Sequence, residues 1–135
     1  MIRIRIAKPK NVKAIFKLVN QEARHGKILP RTRSEIQKEI SSFFVAEEKK
    51  QIVGCVQLDV YSKKLAEIRS LVVDKNFRSN GIGSSLLRLC LKRAKQKRIR
   101  EVLAVTADMP YFKKHGFKTV LDEKFALFWQ GSKRR

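Results

Sequence analysis

Isoleucine and arginine alternate from Ile2 to Ile6, and this period of two predicts a half-buried β-strand. From about Asn11 to Ala23 apolar residues instead recur every three or four positions, which predicts an amphipathic helix with Asn11 as its N-cap. Thr32 and Glu35 stand in the Thr-x-x-Glu spacing of a capping box and so predict the start of a second, shorter helix. The chain is therefore expected to begin with one strand and two helices.

A meander of three strands is predicted next, at Phe43–Glu47, Gln51–Asp59 and Leu65–Val73, because polar turns separate these runs of strand-forming residues. After a loop with two glycines, an apolar stripe from Ile82 to Ala94 predicts an amphipathic helix of about four turns with a basic outer face. The apolar run Glu101–Ala107 follows this helix as a buried strand. A strand, a helix and a further strand in succession imply a parallel pair with a right-handed crossover.

The rest of the chain is predicted to hold a short helix and a final hairpin. The helix runs from Tyr111 to His115 and stops at Gly116, and the hairpin strands are Phe117–Leu121 and Lys124–Trp129. The resulting order, β-α-α-β-β-β-α-β-α-β-β, indicates an α/β (α+β) fold with a mixed central sheet and helices on both faces. We expect one domain over residues 1–130 and a frayed basic tail over residues 131–135.

The loop between the third strand of the meander and the long helix has the chemistry of an anion site. Gly81 and Gly83 allow the backbone to approach a phosphate with no Cβ in the way. The free N–H groups and the dipole of the helix N-terminus add positive potential, and Arg78 can add a fixed charge. The loop lacks the third glycine of a dinucleotide fingerprint and the Gly-Lys-Ser/Thr of a P-loop. A glycine turn with only a structural role is the alternative.

The net charge of the chain bears on the kind of partner that it binds. The 135 residues include 32 Lys and Arg against 12 Asp and Glu, a net charge of +20. One interpretation is an acidic partner, either nucleic acid or a polyanionic cofactor. The other is a compositional bias that only keeps the surface solvated, which we favour because the basic residues are spread along the chain with few aromatic residues between them.

The sequence predicts neither a metal centre nor a membrane anchor. Cys55 and Cys90 stand in no metal-ligand spacing, and the only histidines are His25 and His115. We therefore expect two buried, reduced thiols and no zinc. No apolar run approaches the roughly 18 residues of a membrane span, and the first residues enter the strand pattern without the features of a signal peptide. A cytoplasmic protein is the expectation.

The loop Arg78-Ser-Asn-Gly-Ile-Gly83, the later segment Phe112-Lys-Lys-His-Gly-Phe117 and the order of elements together resemble the GCN5-related N-acetyltransferase (GNAT) family. The resemblance covers nearly the whole chain. It implies acetyl-CoA as the acetyl donor, with its pyrophosphate on the loop N–H groups and its pantetheine arm along the third meander strand, where a backbone N–H would polarise the thioester carbonyl. The cofactor-binding residues that it implies are Leu71, Val72, Val73, Arg78, Ser79, Asn80, Gly81, Ile82, Gly83, Ser84 and Phe112.

The resemblance also implies that Glu67, on the same strand, acts as the general base, directly or through water. A glutamate within an otherwise apolar strand is costly without a partner. Its position is therefore explained either by this role or by an ion pair with Arg69, two residues on and on the same face.

One position departs from the common pattern of the family. Many members place a tyrosine, the general acid for the CoA thiolate, where this chain has Phe112. Tyr111 is one helical step of ~100° away and is not expected to replace it. The thiolate then leaves unassisted, which a thiol pKa of ~8.5 allows, or it takes a proton from water or another group.

Further segments are similar to the acetyltransferase domain of N-acetylglutamate synthase, notably Gly26-Lys-Ile-Leu-Pro-Arg-Thr-Arg33 and Ala66-Glu-Ile-Arg-Ser-Leu-Val-Val73. That subfamily also lacks the tyrosine at the acid position. The similarity implies that Arg31, with Arg33 as a further candidate, grips the carboxylate of a glutamate, and bidentate pairing is the reason for an arginine there. Arg69 is a third candidate contact to the acceptor. The amino-acid kinase domain of the two-domain synthases is absent from this sequence.

The sequence therefore predicts an acetyl-CoA-dependent N-acetyltransferase that transfers the acetyl group directly to a small acidic amine such as glutamate, as a monomer or homodimer. A protein or peptide amine is an alternative acceptor, and polyamines are disfavoured by the net charge of +20. A different class of function, a basic nucleic-acid-associated module on a degenerate acetyltransferase fold, would bind RNA or DNA in a strongly salt-dependent way.

Overall fold

A computed structural model describes residues 1–106, 108–119, 127, 129 and 131. The helices and strands are β1 (Arg3–Ile6), α1 (Val12–Ala23), α2 (Arg33–Lys38), β2 (Phe43–Glu48), β3 (Gln51–Val60), β4 (Leu65–Val73), α3 (Ile82–Gln96), β5 (Glu101–Ala104) and α4 (Met109–Lys114). The predicted α/β (α+β) order is confirmed as far as α4. The predicted hairpin, Phe117–Leu121 with Lys124–Trp129, and the tail 131–135 lie largely outside the described residues.

The five strands of the described region form one mixed sheet in the order β1-β2-β3-β4-β5. The first four strands pair antiparallel with their neighbours. β5 pairs parallel with β4, with Leu65 opposite Glu101 and Ile68 opposite Ala104. The parallel pair follows from the crossover through α3, as the sequence predicted.

The two faces of the sheet carry separate apolar cores, because successive side chains of a strand point to opposite faces. Phe43 packs toward α1 and α2, and its neighbour Phe44 packs toward α3. The core on the α1 and α2 side comprises Ala7, Ile15, Leu18, Val19, Ile36, Phe43, Val45, Cys55 and Val72. The core on the other side includes Phe44, Val56, Leu58, Ile68, Ile82, Leu86, Leu87 and Cys90. Helices therefore cover both faces, as predicted.

The start of α2 confirms the predicted capping box. The Glu35 backbone N–H donates to Thr32 Oγ1 at 3.1 Å, and the Thr32 backbone N–H donates to Glu35 Oε1 at 3.4 Å. Asn11 is the N-cap residue of α1, as predicted, but its side chain makes no cap hydrogen bond to that helix. Its Oδ1 instead accepts from the Lys8 backbone N–H at 2.8 Å and closes the turn that precedes the helix.

The sheet opens where β4 and β5 part. β5 ends at Ala104, short of the predicted Ala107, whereas β4 continues to Val73. Beyond Ile68, β4 thus has no strand on its β5 side within the described residues. β4 also bulges there, since Arg69 and Val72 pair with Gln57 and Cys55 and leave two residues, Ser70 and Leu71, opposite one.

The thiols are buried, as predicted, and burial raises the pKa of Cys55 and of Cys90 to about 12. The described residues contain no cluster of His, Cys, Asp or Glu that could hold a metal ion. None of the helices in the described part of the chain has the length and apolarity needed to cross a membrane.

Candidate active site

The glycine loop has a backbone that few residues other than glycine adopt easily. Gly81, at the N-cap of α3, has φ +76°, and Ser79 has φ +70°. The turn leads directly into α3, whose first N–H groups have no partner within the helix and face the loop. Together with the helix dipole, these groups have the chemistry of an anion site, and binding of a phosphate there stays a prediction.

A cavity of about 590 Å³ connects this loop with the bulge of β4 and with α4. It lies where β4 and β5 part. Ten of the eleven predicted cofactor residues line it: Leu71, Val72, Val73, Arg78, Ser79, Gly81, Ile82, Gly83, Ser84 and Phe112. Asn80 and all four predicted catalytic or acceptor residues (Glu67, Arg31, Arg33 and Arg69) are not part of its lining.

Arg78 joins the end of β4 to α1. Its Nε donates to the carbonyl oxygen of Val73 at 3.0 Å, and its Nη2 donates to Glu22 Oε1 at 3.0 Å. The side chain remains 48% exposed. Since Arg78 and Glu22 both line the cavity, the guanidinium contributes charge at its rim, although a carboxylate already neutralises part of that charge.

Glu67 lies on the opposite face of β4 from the apolar residues Ala66 and Ile68, which belong to the core beside α3. Its carboxylate accepts a hydrogen bond from the hydroxyl of Tyr61. Partial burial, followed by this bond to Glu67, raises the pKa of Tyr61 to about 12, so the phenol remains the donor at neutral pH.

Arg69 does not pair with Glu67. Its Nη1 donates to Asp59 Oδ2 at 3.1 Å. The interpretation of Glu67 as the ion-pair partner of Arg69 was therefore wrong, and Glu67 retains a neutral hydroxyl as its hydrogen-bond partner. The role of Glu67 as base stays a prediction.

Arg31 is buried inside the protein, which the sequence did not indicate. Its side chain is only 2% exposed, and it donates four hydrogen bonds to groups of this chain. The acceptors are Glu35 Oε2 at 3.0 Å, Gln57 Oε1 at 2.9 Å, Ser70 Oγ at 3.0 Å and Glu39 Oε1 at 3.4 Å. The pair with Arg31 is the main reason why the pKa of Glu35 is lowered. Arg33 is exposed and lies over the ring of Phe16 at 5.1 Å.

Sequence reasoning missed Tyr111 as a residue of the site. Its hydroxyl is buried beside Gly83 and has no hydrogen-bond partner among the described residues. Both Tyr111 and Phe112 line the cavity, and their rings meet edge to face at 5.4 Å. A second link joins the same two helices, since Ser84 Oγ is hydrogen-bonded to His115 Nε2 at 3.0 Å. The sequence held one hint of this contact. A glycine at position 83 leaves room for a neighbouring side chain, and the Tyr111 hydroxyl fills that room.

The residues present fit an acetyl-CoA molecule on three grounds. The turn at Gly81 offers backbone N–H groups to a pyrophosphate. Arg78 lines the same cavity and supplies a cation for phosphates. The β4 edge beyond Ile68, left free by β5, offers backbone hydrogen bonds to an extended arm.

Known proteins with similar sequences are named as acetyltransferases. A sequence model described as the acetyltransferase (GNAT) family matches residues 12–117. An uncharacterized N-acetyltransferase of Chlorobaculum tepidum is 35% identical over 122 residues, which are 90% of this chain and 79% of that protein. An amino-acid acetyltransferase of Mycobacterium tuberculosis is 31% identical over 121 residues, 87% of this chain and 68% of that protein.

Solved structures share the fold. A protein of Mycobacterium tuberculosis in complex with CoA and NLQ has a TM-score of 0.82 at 29% identity and covers 87% of this chain and 72% of its own. N-acetylglutamate synthase of Neisseria gonorrhoeae, complexed with coenzyme A and L-arginine, has a TM-score of 0.77 at 26% identity. That match covers 93% of this chain but only 29% of the synthase chain.

Proposed function

Because the chain belongs to the acetyltransferase (GNAT) family and is thus an acetyl-CoA-dependent N-acetyltransferase, we propose that its acceptor is the amine of a small acidic molecule such as glutamate. The observation that carries the proposal is the single cavity of about 590 Å³ that runs from the turn at Gly81 to the bulge of β4. The turn at one end would hold the phosphates of the cofactor, and the free edge of β4 at the other would hold its extended arm. The relatives named amino-acid acetyltransferase support an amino acid as the acceptor.

In the proposed reaction the acceptor amine attacks the thioester carbonyl directly. The N–C bond forms, the C–S bond breaks, and CoA leaves as a thiolate that takes a proton from water. Leu71, inside the bulge, lines the cavity, and its backbone N–H would stabilise the negative charge that develops on the carbonyl oxygen. A thiol pKa of ~8.5 makes the thiolate a tolerable leaving group.

Glu67 would receive the proton that the amine gives up. It stands four residues before Leu71, which at about 3.3 Å per strand residue is too far for direct transfer to the same point and favours a bridging water. The Tyr61 hydroxyl, donating to the carboxylate, holds Glu67 in place. Removing such a base usually costs roughly 10²–10⁴ in rate.

The charge of the cavity rim supports an acidic acceptor. Lys27, on the loop after α1, and Lys114, at the end of α4, are exposed and line the cavity. Neither belongs to an ion pair among the described residues. A carboxylate would be attracted to this rim, and a polyamine would be repelled by it.

The test is a CoA-release assay with acetyl-CoA and a panel of acceptors: glutamate, aspartate, glutamine, lysine, spermidine and a peptide with a free N-terminus. Glutamate or another acidic amino acid should give the highest kcat/KM. If the peptide is preferred, the proposed acceptor is wrong but the proposed reaction stands. No release with any amine, together with no thermal shift by acetyl-CoA, would sink the proposal.

A second candidate function is supported by one observation. A groove of about 820 Å³ lies between the N-terminus of α1 and the ends of β1, β2 and β3. Six basic side chains line it, against two acidic ones: Arg3, Arg5, Lys8, Lys10, Lys17 and Lys50, against Glu47 and Asp74. Apart from Arg5, which pairs with Glu47, none of these cations belongs to an ion pair within the described residues. The groove would bind a nucleic acid through its phosphates alone, since no aromatic residue lines it for the bases to stack on.

This second function is tested by anisotropy with a labelled single-stranded RNA at low and high salt. The double change Lys10→Glu and Lys17→Glu in the groove should weaken binding at least tenfold. The matched change Lys92→Glu and Lys95→Glu, on the outer face of α3, alters the net charge equally and should weaken it far less. Equal losses would mean that binding follows net charge alone, and the groove would not be a site.

A further inference from the structure

A polar cluster with a buried arginine at its centre lies directly beneath the bulge of β4. The guanidinium of Arg31 contacts residues from α2, from the position just after α2, and from β3 and β4. Gln57 extends the cluster, because its Nε2 donates to Glu39 Oε1 at 2.6 Å and to Ser42 Oγ at 3.0 Å. A buried arginine needs partners on all sides, and here the protein itself provides them.

One member of the cluster has an unusual backbone. Ser70, inside the bulge, has φ +55°, a left-handed conformation that serine seldom adopts. Two contacts hold it: Ser70 Oγ accepts from Arg31 Nη1 at 3.0 Å, and the Ser70 carbonyl oxygen accepts from Cys55 Sγ at 3.4 Å. The contact to Arg31 is the stronger, because its donor is charged.

The bulge links this cluster to the cavity. Ser70 lines the cavity together with Leu71, while Arg31 and Gln57 lie on the other side of the strand, toward α2. Because Ser70 has left-handed dihedrals, the next peptide is turned relative to regular strand geometry. The direction of the Leu71 N–H therefore depends on the dihedrals of Ser70.

We infer that Arg31 is a positioning residue that fixes the bulge of β4 through Ser70 and so aims the Leu71 N–H at the acyl end of the cavity. This inference rests on the proposed function. It gives Arg31 a role different from gripping the carboxylate of the acceptor. The guanidinium already serves four acceptors of this chain, and its side chain is 2% exposed.

The two roles predict different kinetics. A residue that binds the acceptor raises the acceptor KM when it is removed. A residue that aims an N–H at the developing charge lowers kcat and leaves the acceptor KM nearly unchanged.

Ser70→Ala is the main variant, because it removes the hydroxyl that Arg31 holds and leaves the charge cluster in place. We expect kcat to fall at least tenfold, with the acceptor KM and the acetyl-CoA affinity changed less than threefold. Ser70→Gly should retain more of kcat than Ser70→Ala, because glycine adopts φ +55° without the hydrogen bond. Arg31→Met should resemble Ser70→Ala, and combining the two changes should add little.

Ser42→Ala is the matched control, since it removes a hydroxyl from the same cluster without touching the bulge. Its kcat should equal that of the unchanged protein. The inference is overturned if Ser70→Ala leaves kcat intact, or if Arg31→Met raises the acceptor KM while Ser70→Ala has no effect.

A second readout separates this inference from the acceptor proposal. The residual dipolar coupling of the Leu71 N–H, which reports the direction of that bond, should change in Ser70→Ala and stay the same in Ser42→Ala, whether or not any acceptor is turned over. An unaltered coupling in Ser70→Ala would overturn the inference even in a fully active enzyme.

Discussion

The hydroxyl of Tyr111 on α4 lies against Gly83 in the first turn of α3, so closely that a Cβ added to Gly83 would stand 3.0 Å from it. The same hydroxyl has no hydrogen-bond partner among the described residues. The contact fixes how near α4 comes to the loop, and thereby sets one wall of the cavity.

Gly83→Ala should therefore weaken acetyl-CoA binding by about tenfold, because either Tyr111 or the start of α3 must shift. Adding Tyr111→Phe should restore most of the lost affinity, since Cζ of the ring stands 4.0 Å from the added Cβ once the hydroxyl is gone. Calorimetric titration with acetyl-CoA measures both. If the double variant binds no better than Gly83→Ala, the contact with Tyr111 is not the cause.

Gly81→Ala should destabilise the fold by about 1 kcal/mol, because φ +76° costs an L-residue roughly that much. Gly26 provides a matched control, with φ +74° and no atom within 4 Å of its Cβ position, as at Gly81. Both variants should lower Tm by about 4 °C, but only Gly81→Ala should reduce acetyl-CoA affinity. Equal affinity losses would show that the loop has no special part in binding.

Glu67→Gln should lower kcat by roughly 10²-fold or more at neutral pH, as loss of a general base does. The variant keeps an acceptor oxygen for the Tyr61 hydroxyl, so its Tm should change little. Tyr61→Phe removes only that hydrogen bond and should lower kcat far less. The measurement is the pH profile of kcat/KM for each variant. A Glu67→Gln enzyme with unchanged kcat would leave Glu67 without a catalytic part.

Stability should fall in mild alkali because of the two thiols. In the fold both keep their protons up to a pKa of about 12, whereas in the unfolded chain they lose them near ~8.5. The folded state thus holds more protons above that pH, and the stabilisation present below it is lost as pH rises. The slope is about 1.4 kcal/mol per pH unit for each thiol.

Urea unfolding between pH 8 and pH 9 measures this slope below the ordinary pKa of ~10 at which Tyr61, whose pKa the fold also raises, begins to contribute. Cys55→Ala should be less stable at pH 8 but should lose only about half as much stability per pH unit. An unchanged slope in this variant would mean that Cys55 does not carry the effect.

The sequence predicted the frame of this protein well where the signals were local. The alternation at Ile2–Ile6, the capping box of Thr32 and Glu35, and the bounds of β4 all follow from residues close together in the chain. Gly81 marked the turn before α3 for the same reason, since its left-handed φ of +76° favours glycine there.

The placement of Arg31 could not be predicted in this way. Its loop is exposed at Pro30 and Thr32, whereas its hydrogen-bond partners Gln57 and Ser70 lie 26 and 39 positions away along the chain. The pairing of Arg69 with Asp59 instead of Glu67 likewise depends on the register of β3 with β4. The bulge at Ser70 could not be predicted from the residue types of β4, because it arises from a shift in the pairing register between β3 and β4.

The β4 edge that β5 leaves free beyond Ile68 also affects the behaviour of the protein in solution. Within the described part of the chain no strand pairs with this stretch of β4, and a strand edge of this kind is a template on which another chain can add, and so an aggregation hazard. The bound cofactor arm would occupy this edge and so prevent another chain from pairing with it. Between turnovers, the net charge of +20 keeps copies apart. Purification in high salt without acetyl-CoA would remove both protections at once.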